Sequence, residues 1–166
     1  MNSDTELRAE PMNVEDVDDV LAIEHVSFPA PWTREIFLRE ISNRSGRAIV
    51  FRIGADIVGY LCYWMVMDEA HIHTIALHPD YRKRGYGKAI MSYLDSACLQ
   101  GGLKKIILEV ARRNLTARNL YTRCGFQSIG FRRRYYTSVN DDALVMQKVL
   151  GSESIRSPAS TGREMP

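Results

Sequence analysis

The chain has 166 residues, of which 45% are apolar and 25% are charged, and this composition is ordinary for a single soluble globular domain. Its formal net charge of +2 is too small to indicate nucleic-acid binding by itself, so an anionic partner would have to bind locally. The longest apolar stretch, residues 57–67, is much shorter than the roughly 20 residues of a membrane-spanning helix.

One domain is expected over residues 1–150. After Leu150 the sequence is rich in small and polar residues and poor in apolar ones, so residues 151–166 are predicted to form a disordered tail. The first ten residues carry acidic side chains before any apolar run, unlike a secretory signal or a transit peptide, which predicts a cytoplasmic protein. The three cysteines have no paired short spacing and are interpreted as reduced thiols.

Two helices are predicted near the N-terminus. Asn13 is a typical N-cap residue, and the apolar residues after it recur at helical spacing toward Phe28. Pro29 and Pro31 interrupt that pattern, and Thr33 is expected to cap a second, short helix.

The rest of the chain alternates between strand and helix signals. Strands are predicted over residues 48–53, 57–67, 70–78, 104–111, 126–136 and 143–150. One helix should begin near Tyr86 and end at Gly101, and another should be capped by Asn114 and close at Gly125. These elements predict a mixed α/β domain.

The turn before the Tyr86 helix carries the sharpest motif. Gly85 and Gly87 lack side chains that would keep a ligand away, so N–H groups at the helix start can point at phosphate oxygens. Four basic residues add positive charge, namely Arg82, Lys83, Arg84 and Lys88. The spacing matches neither the Walker pattern nor the dinucleotide fingerprint, which disfavours a nucleotide kinase or a dehydrogenase.

With this motif the sequence resembles the GNAT superfamily of N-acetyltransferases, whose pyrophosphate loop has Arg or Gln, two residues, Gly, one residue, then Gly or Ala. The resemblance covers about residues 6–150 and includes the segments around Glu109, Asn114 and Tyr121. Within the superfamily the chain is similar to the bacterial ribosomal protein alanine N-acetyltransferases, through residues 28–32, 68–70, 108–110 and 133–136. The resemblance implies a central, largely antiparallel twisted sheet of about six to seven strands flanked by about four helices.

The same resemblance implies acetyl-CoA as co-substrate. Backbone groups of Ile75, Ala76 and Leu77 would hold the pantetheine arm, which can pair with an unpaired strand edge between splayed strands. The residues expected around the pyrophosphate are Arg82, Lys83, Arg84, Gly85, Tyr86, Gly87 and Lys88, and Asn114 would complete the site.

Glu109 and Tyr121 are the candidate acid–base pair. The resemblance places the family's base at Glu109, a strand-end carboxylate that can take a proton directly or through one water. A thiol has an ordinary pKa of about 8.5 and a tyrosine one of about 10, so Tyr121 is the candidate donor to the leaving thiolate. The alternatives are a structural Glu109–arginine pair and a tyrosine that only packs. A backbone N–H near Ala76 or Leu77 is the candidate oxyanion donor.

The histidines of the third predicted strand raise the question of a metal. His71 and His73 alternate along the strand, but the third and fourth ligands of a zinc site are missing, so no metal is predicted. His71 lies where some related enzymes place a second proton acceptor, and it is a possible secondary base. Ordinary strand packing is the alternative.

The acceptor side is assigned from the resemblance alone. Trp32, Tyr135 and Tyr136 lie in segments that flank the peptide groove in the resembling enzymes, although each aromatic residue can equally well cover the core. Arg134 and residues 137–140 depart from the usual pattern around the paired tyrosines, so peptide selectivity is expected to differ.

Three functions are compatible with these residues. The first is acetylation of the α-amine of an alanine-starting ribosomal protein, with acetyl-CoA and a protein N-terminus as partners and with no membrane or direct nucleic-acid partner. The second is a GNAT enzyme that acetylates other N-termini, lysine or a small amine. The third is a non-catalytic acyl-CoA-binding sensor or interaction module, for which residues 132–134 are the supporting feature.

Overall fold

The computed structural model describes residues 5–136 and 141–151, with the backbone alone at 134–136, and in these ranges the chain forms one sheet of seven strands with four α-helices. The strands are β1 Arg8–Pro11, β2 Gly46–Ile53, β3 Asp56–Val66, β4 Glu69–Leu77, β5 Lys105–Ala111, β6 Gln127–Tyr136 and β7 Asp141–Val149. The helices are α1 Val17–Ser27, α2 Arg34–Ser42, α3 Tyr86–Gln100 and α4 Leu115–Arg123. The predicted tail lies outside the described residues apart from Gly151.

The strands are ordered β1-β2-β3-β4-β5-β7-β6, and every neighbouring pair is antiparallel except β4 with β5. The parallel pair is joined by a crossover through α3, as such pairs require. The predicted mixed α/β class is confirmed. Strand β1 was not predicted, because four residues at a sheet edge give too little alternation to detect.

The helices begin near the predicted N-cap residues, but only one of these residues makes the predicted capping hydrogen bond with its side chain. Asn114 Oδ1 accepts a hydrogen bond from the Ala117 N–H at 3.2 Å, so the predicted cap of α4 is present. At the first helix the Asn13 N–H instead donates to Asp16 Oδ2 at 2.8 Å, and a 3-10 turn precedes α1. Thr33 occupies the N-cap position of α2 without a capping bond from its side chain.

The sheet separates two apolar clusters. The first face carries α1 and α2, and buried residues there include Val20, Ile23, Phe37, Val50 and Tyr60. The second face carries α3 and α4, and buried residues there include Ile90, Leu94, Leu61, Ile106 and Leu108. Because side chains alternate along a strand, β3 supplies Tyr60 to one cluster and Leu61 to the other. Burial of each large apolar side chain contributes about 1.5–3 kcal/mol.

The cysteines are free thiols at all three positions, and Cys62 and Cys98 are buried. Burial next to Asp95 raises the pKa of Cys98 to about 11, which keeps this thiol protonated at neutral pH. Across the described residues, no helix is long and apolar enough to span a membrane.

Strands β4 and β5 diverge soon after they meet. Pairing between them is confined to Glu69–His71 of β4 and Lys105–Ile107 of β5. Beyond these residues β4 stays paired with β3 as far as Leu77, and β5 stays paired with β7 as far as Ala111. Within the described residues, Ile72–Leu77 therefore has no strand on its β5 side, and this segment is called the open edge below. The predicted splayed strands are confirmed.

Candidate functional site

The open edge leads directly into the glycine loop. After β4 the chain forms a 3-10 turn at Pro79–Tyr81, and α3 then begins at Tyr86. Lys83 and Gly85 have left-handed backbone angles, with φ of 62° and 87°. Left-handed residues between ordinary ones let successive N–H groups converge on an anion. A Cβ at Gly85 would meet nothing within 4 Å, so this position needs glycine for its backbone angle and not for space.

Arg82 braces this loop. Its Nε donates to the Leu77 carbonyl at 2.9 Å, and a terminal nitrogen donates to Ser27 Oγ at 3.2 Å. Arg84 lies 5.7 Å from the centre of the Tyr81 ring, within cation–π range. The exposed side chains of Lys83 and Lys88 add positive charge to the loop surface. The loop is therefore tied to β4 and α1 and still presents cationic groups to solvent.

Helix α4 packs close to the start of α3. A Cβ on Gly87 would lie 3.0 Å from Leu120 Cδ2, so a larger residue at position 87 would displace that side chain. Asn114 is exposed at the N-terminus of α4 while its Oδ1 caps the helix. Gly87 thus permits the close approach of the two helices that carry predicted cofactor residues.

Glu109 stands beside the opening on β5. Its neighbours Leu108 and Val110 belong to the second-face cluster, so by strand alternation Glu109 points toward the first face. Its Oε1 lies 3.2 Å from Arg132 Nε, and the two side chains are 23% and 62% exposed. The carboxylate is reachable from solvent, and the arginine pair considered as its alternative role is also present.

Tyr121 approaches from the other side of the sheet. It is buried in the second-face cluster, and its ring centre lies 5.8 Å from that of Phe126. Glu109 and Tyr121 therefore belong to opposite faces of the sheet at β5. Their catalytic roles stay predictions.

The two histidines of β4 have different surroundings. His71 Nε2 lies 2.9 Å from Glu69 Oε2, in the part of β4 that is paired with β5. His73 is an extra residue at a β-bulge, since Cys62 pairs with Thr74 and the next residue, Tyr63, pairs with Ile72. No group of three or more histidine, cysteine or acidic side chains in the described parts of the chain is arranged to hold a metal ion.

The sequence left three contacts around these groups unassigned, since it raised an arginine partner for Glu109 without identifying it. Trp64 stacks on His73 with ring centres 4.4 Å apart and 22° between the planes, and its Nε1 donates to Glu40 at 2.7 Å. Arg132 pairs with Glu109. No local pattern reveals these partners, because the residues meet only across strands and layers.

Trp32 is tied to the interior through its backbone. Its N–H donates at 3.0 Å to Oε1 of Glu24, a side chain that also accepts a hydrogen bond from the Tyr60 hydroxyl. Burial and the Glu24 charge raise the pKa of Tyr60, so this hydroxyl stays protonated. Trp32 is half-buried, and the centre of its ring lies 5.3 Å from that of Phe37, so the ring packs against the first-face cluster. Tyr135 and Tyr136 end β6, and their side chains lie outside the described part.

The open edge of β4 runs into a glycine loop at the start of a helix, and this arrangement suits a donor that carries both amides and phosphates. Residues 17–126, more than half of the chain, match the model of the acetyltransferase (GNAT) family. The chain belongs to this family. It is an acetyl-transferring enzyme with acetyl-CoA as co-substrate, as the resemblance implied.

Several known proteins are similar to this chain over most of its length. A Bacillus subtilis protein is 36% identical over 136 residues, which cover 81% of this chain and 90% of that protein. The [ribosomal protein bS18]-alanine N-acetyltransferase of Escherichia coli K12 is 31% identical over 128 residues, 75% of this chain and 84% of that protein. The crystal structure of the ribosomal-protein-S18-alanine N-acetyltransferase from E. coli superposes with a TM-score of 0.80 at 25% identity, covering 87% of this chain and 94% of that one.

Proposed function

We propose that this enzyme transfers the acetyl group of acetyl-CoA to the α-amine of an alanine-starting ribosomal protein, by direct attack in a ternary complex. The observation that carries acetyl transfer is the open edge of β4, which leads into the glycine loop, with Glu109 on β5 just beyond the last β4–β5 pair. The acceptor is inferred from the E. coli relative, whose name specifies alanine of a ribosomal protein. A ribosomal acceptor would place the reaction in the cytoplasm.

The donor would bind as an added strand. The pantetheine arm has amides that can pair with backbone groups of Ile75, Ala76 and Leu77, which have no strand on the β5 side in the described structure. The pyrophosphate would meet the N–H groups of Lys83–Lys88 at the start of α3, where the helix dipole and the lysine side chains favour an anion. Asn114 would border the donor from α4.

The acceptor amine must lose a proton before it can attack. An α-amine has an ordinary pKa near 7.7–8.0 and is mostly protonated at pH 7. Glu109 is the proposed proton acceptor on this amine. The nitrogen lone pair then forms the N–C bond with the thioester carbon, and the carbonyl π electrons move to oxygen. An N–H of Ala76 or Leu77 would stabilise that oxygen.

Collapse of the tetrahedral intermediate completes the transfer. The C–S bond breaks, and its electron pair leaves with sulfur. The hydroxyl of Tyr121 would donate a proton to this sulfur. A tyrosine has a higher ordinary pKa than a thiol, so at neutral pH its hydroxyl is protonated and able to donate. Trp32, Tyr135 and Tyr136 are proposed to flank the acceptor peptide.

The proposal is tested by measuring thiol release from acetyl-CoA with peptides that start with alanine, serine or methionine, and with an N-terminally blocked peptide that contains an internal lysine. We expect turnover with the alanine-starting peptide and acetyl at its α-amine by mass spectrometry. Turnover confined to the lysine peptide would overturn the α-amine as acceptor, and it would require a stronger base, because a lysine amine has a pKa near 10.4.

A further inference from the structure

In the proposed function two protons leave the substrate nitrogen. An ammonium group loses two protons when it becomes an amide N–H, and the departing sulfur takes up only one, from Tyr121. One nitrogen proton must leave before attack, and the second leaves after the N–C bond has formed. Glu109 can accept one of them, which leaves the acceptor of the other to be found.

His73 on β4 and Glu109 on β5 occupy corresponding positions in sequence beyond the last β4–β5 pair. His71 and Ile107 are the last residues that pair across the two strands, and His73 and Glu109 each lie two residues further along. His73 is therefore on the open edge where the strands begin to separate. The bulge at this residue changes the regular alternation of β4.

The His73 ring is held in place by an aromatic partner. Trp64 stacks on it at 4.4 Å and is fixed by the hydrogen bond of its Nε1 to Glu40 on α2. This contact leaves the imidazole nitrogens at the ring edge. His71, in contrast, has its Nε2 occupied by Glu69.

The protonation state of His73 suits a proton acceptor. His73 is exposed, but desolvation by its neighbours still lowers its pKa, and His71 lowers it further, while the charges of Glu40 and Glu109 oppose these effects. A histidine whose pKa is below its ordinary value of about 6.5 is uncharged at neutral pH and can take up a proton. Glu109, by comparison, is already engaged by the Arg132 guanidinium.

We propose that His73 is a second catalytic residue, which takes the first proton from the acceptor ammonium, while Glu109 takes the second as the N–C bond forms. This inference rests on the proposed function and reassigns the proton that leaves before attack from Glu109 to His73. A nitrogen of the neutral imidazole accepts the proton and becomes N–H. The imidazolium and the Glu109 carboxyl then return their protons to water after product leaves, and the Tyr121 phenolate regains one proton from water.

The test is the pH dependence of kcat/KM for the alanine-starting peptide in His73→Phe and Glu109→Gln. Phenylalanine keeps an aromatic ring for Trp64 but removes both nitrogens. We expect His73→Phe to lose about 10- to 30-fold at pH 6.5–7, because only a small fraction of the α-amine is already free there. The loss should shrink above about pH 8.5, where the free amine no longer needs the first deprotonation. Glu109→Gln should stay impaired at high pH, because the second proton must still leave.

Two further variants separate chemistry from packing. His73→Gln removes the titrating ring without adding bulk and should show the same recovery of kcat/KM at high pH. The control is His25→Gln, at an exposed histidine of α1, which should keep the wild-type pH profile of kcat/KM. An equal loss at every pH in His73→Phe and His73→Gln would overturn the proposal, as would unchanged activity or a pH-dependent loss seen only in His71→Phe. If the proposed function itself is wrong, the wild-type enzyme will not turn over the alanine-starting peptide. In that case the proposed role of His73 is also wrong.

Discussion

The two ends of β4 differ in how their backbone is used. At Glu69–His71 the strand lies between β3 and β5, so both of its edges contribute to the sheet. At Ile72–Leu77 only the β3 side is paired, and the chain then enters the glycine loop. The closed end fixes the position of β5, and the open end leaves backbone groups available for a ligand. One strand is thus paired on both edges at one end, and at the other end it has the free edge at which we propose that the donor binds.

The largest expected effect is on the chemistry at the open end. Glu109→Gln keeps the size of the side chain but removes a proton acceptor, and we expect kcat to fall by about 10²–10⁴-fold with the affinity for acetyl-CoA retained. Steady-state thiol release and calorimetric titration with acetyl-CoA measure the two quantities. Comparable activity of variant and wild type would show that Glu109 is only the structural partner of Arg132.

A substitution at the closed end should affect stability instead. Ile106 is fully buried and pairs with Ala70 of β4, so Ile106→Ala is expected to lower the free energy of unfolding by about 2–5 kcal/mol. Ile75→Ala, at a half-buried position of the open edge, should lower it by less. Urea denaturation of both variants checks the order. A larger loss for Ile75→Ala would contradict the division of β4 into a structural and a binding end.

A smaller effect is expected from a substitution in the glycine loop. A matched variant elsewhere in the chain separates the effect of backbone strain on stability from the effect on acetyl-CoA affinity. Gly85→Ala places a Cβ in a left-handed position with free space around it, and the strain amounts to roughly 1–2 kcal/mol. We expect a several-fold weaker affinity for acetyl-CoA. The matched control is Gly54→Ala in the β2–β3 turn, which also has positive φ and free space. It should cost similar stability and leave the affinity unchanged; equal affinity losses in both would contradict a local role of the loop.

The smallest effect is expected at Arg132. Its side chain is mostly exposed, and such ion pairs contribute about 0–1 kcal/mol, so Arg132→Gln should hardly change the free energy of unfolding. Any change in peptide KM should diminish in high salt, because screening weakens the wild-type pair as well. Kinetics at low and high ionic strength test this. A salt-independent loss of kcat would mean that Arg132 orients Glu109 directly.

The sequence predicted the local features of this molecule well. The glycine loop, the Asn114 cap and the order of most elements are encoded by neighbouring residues. The missing features depend on distant partners: β1 is defined by its pairing with β2, the bulge at His73 by the register of β3, and the environment of Glu109 by Arg132 on β6. Glu24 shows the same limit, because a carboxylate among apolar residues of α1 does not reveal that Tyr60 and the Trp32 backbone will satisfy it.

The most direct test of the account is amide hydrogen exchange with and without coenzyme A. We predict slower exchange at Ile75–Leu77 and in the loop 83–88 when coenzyme A is bound, with little change at Glu69–His71, whose backbone is already paired on both sides. Protection spread evenly along β4, or absent from the open edge while coenzyme A binds, would contradict the assignment of this edge as the donor site.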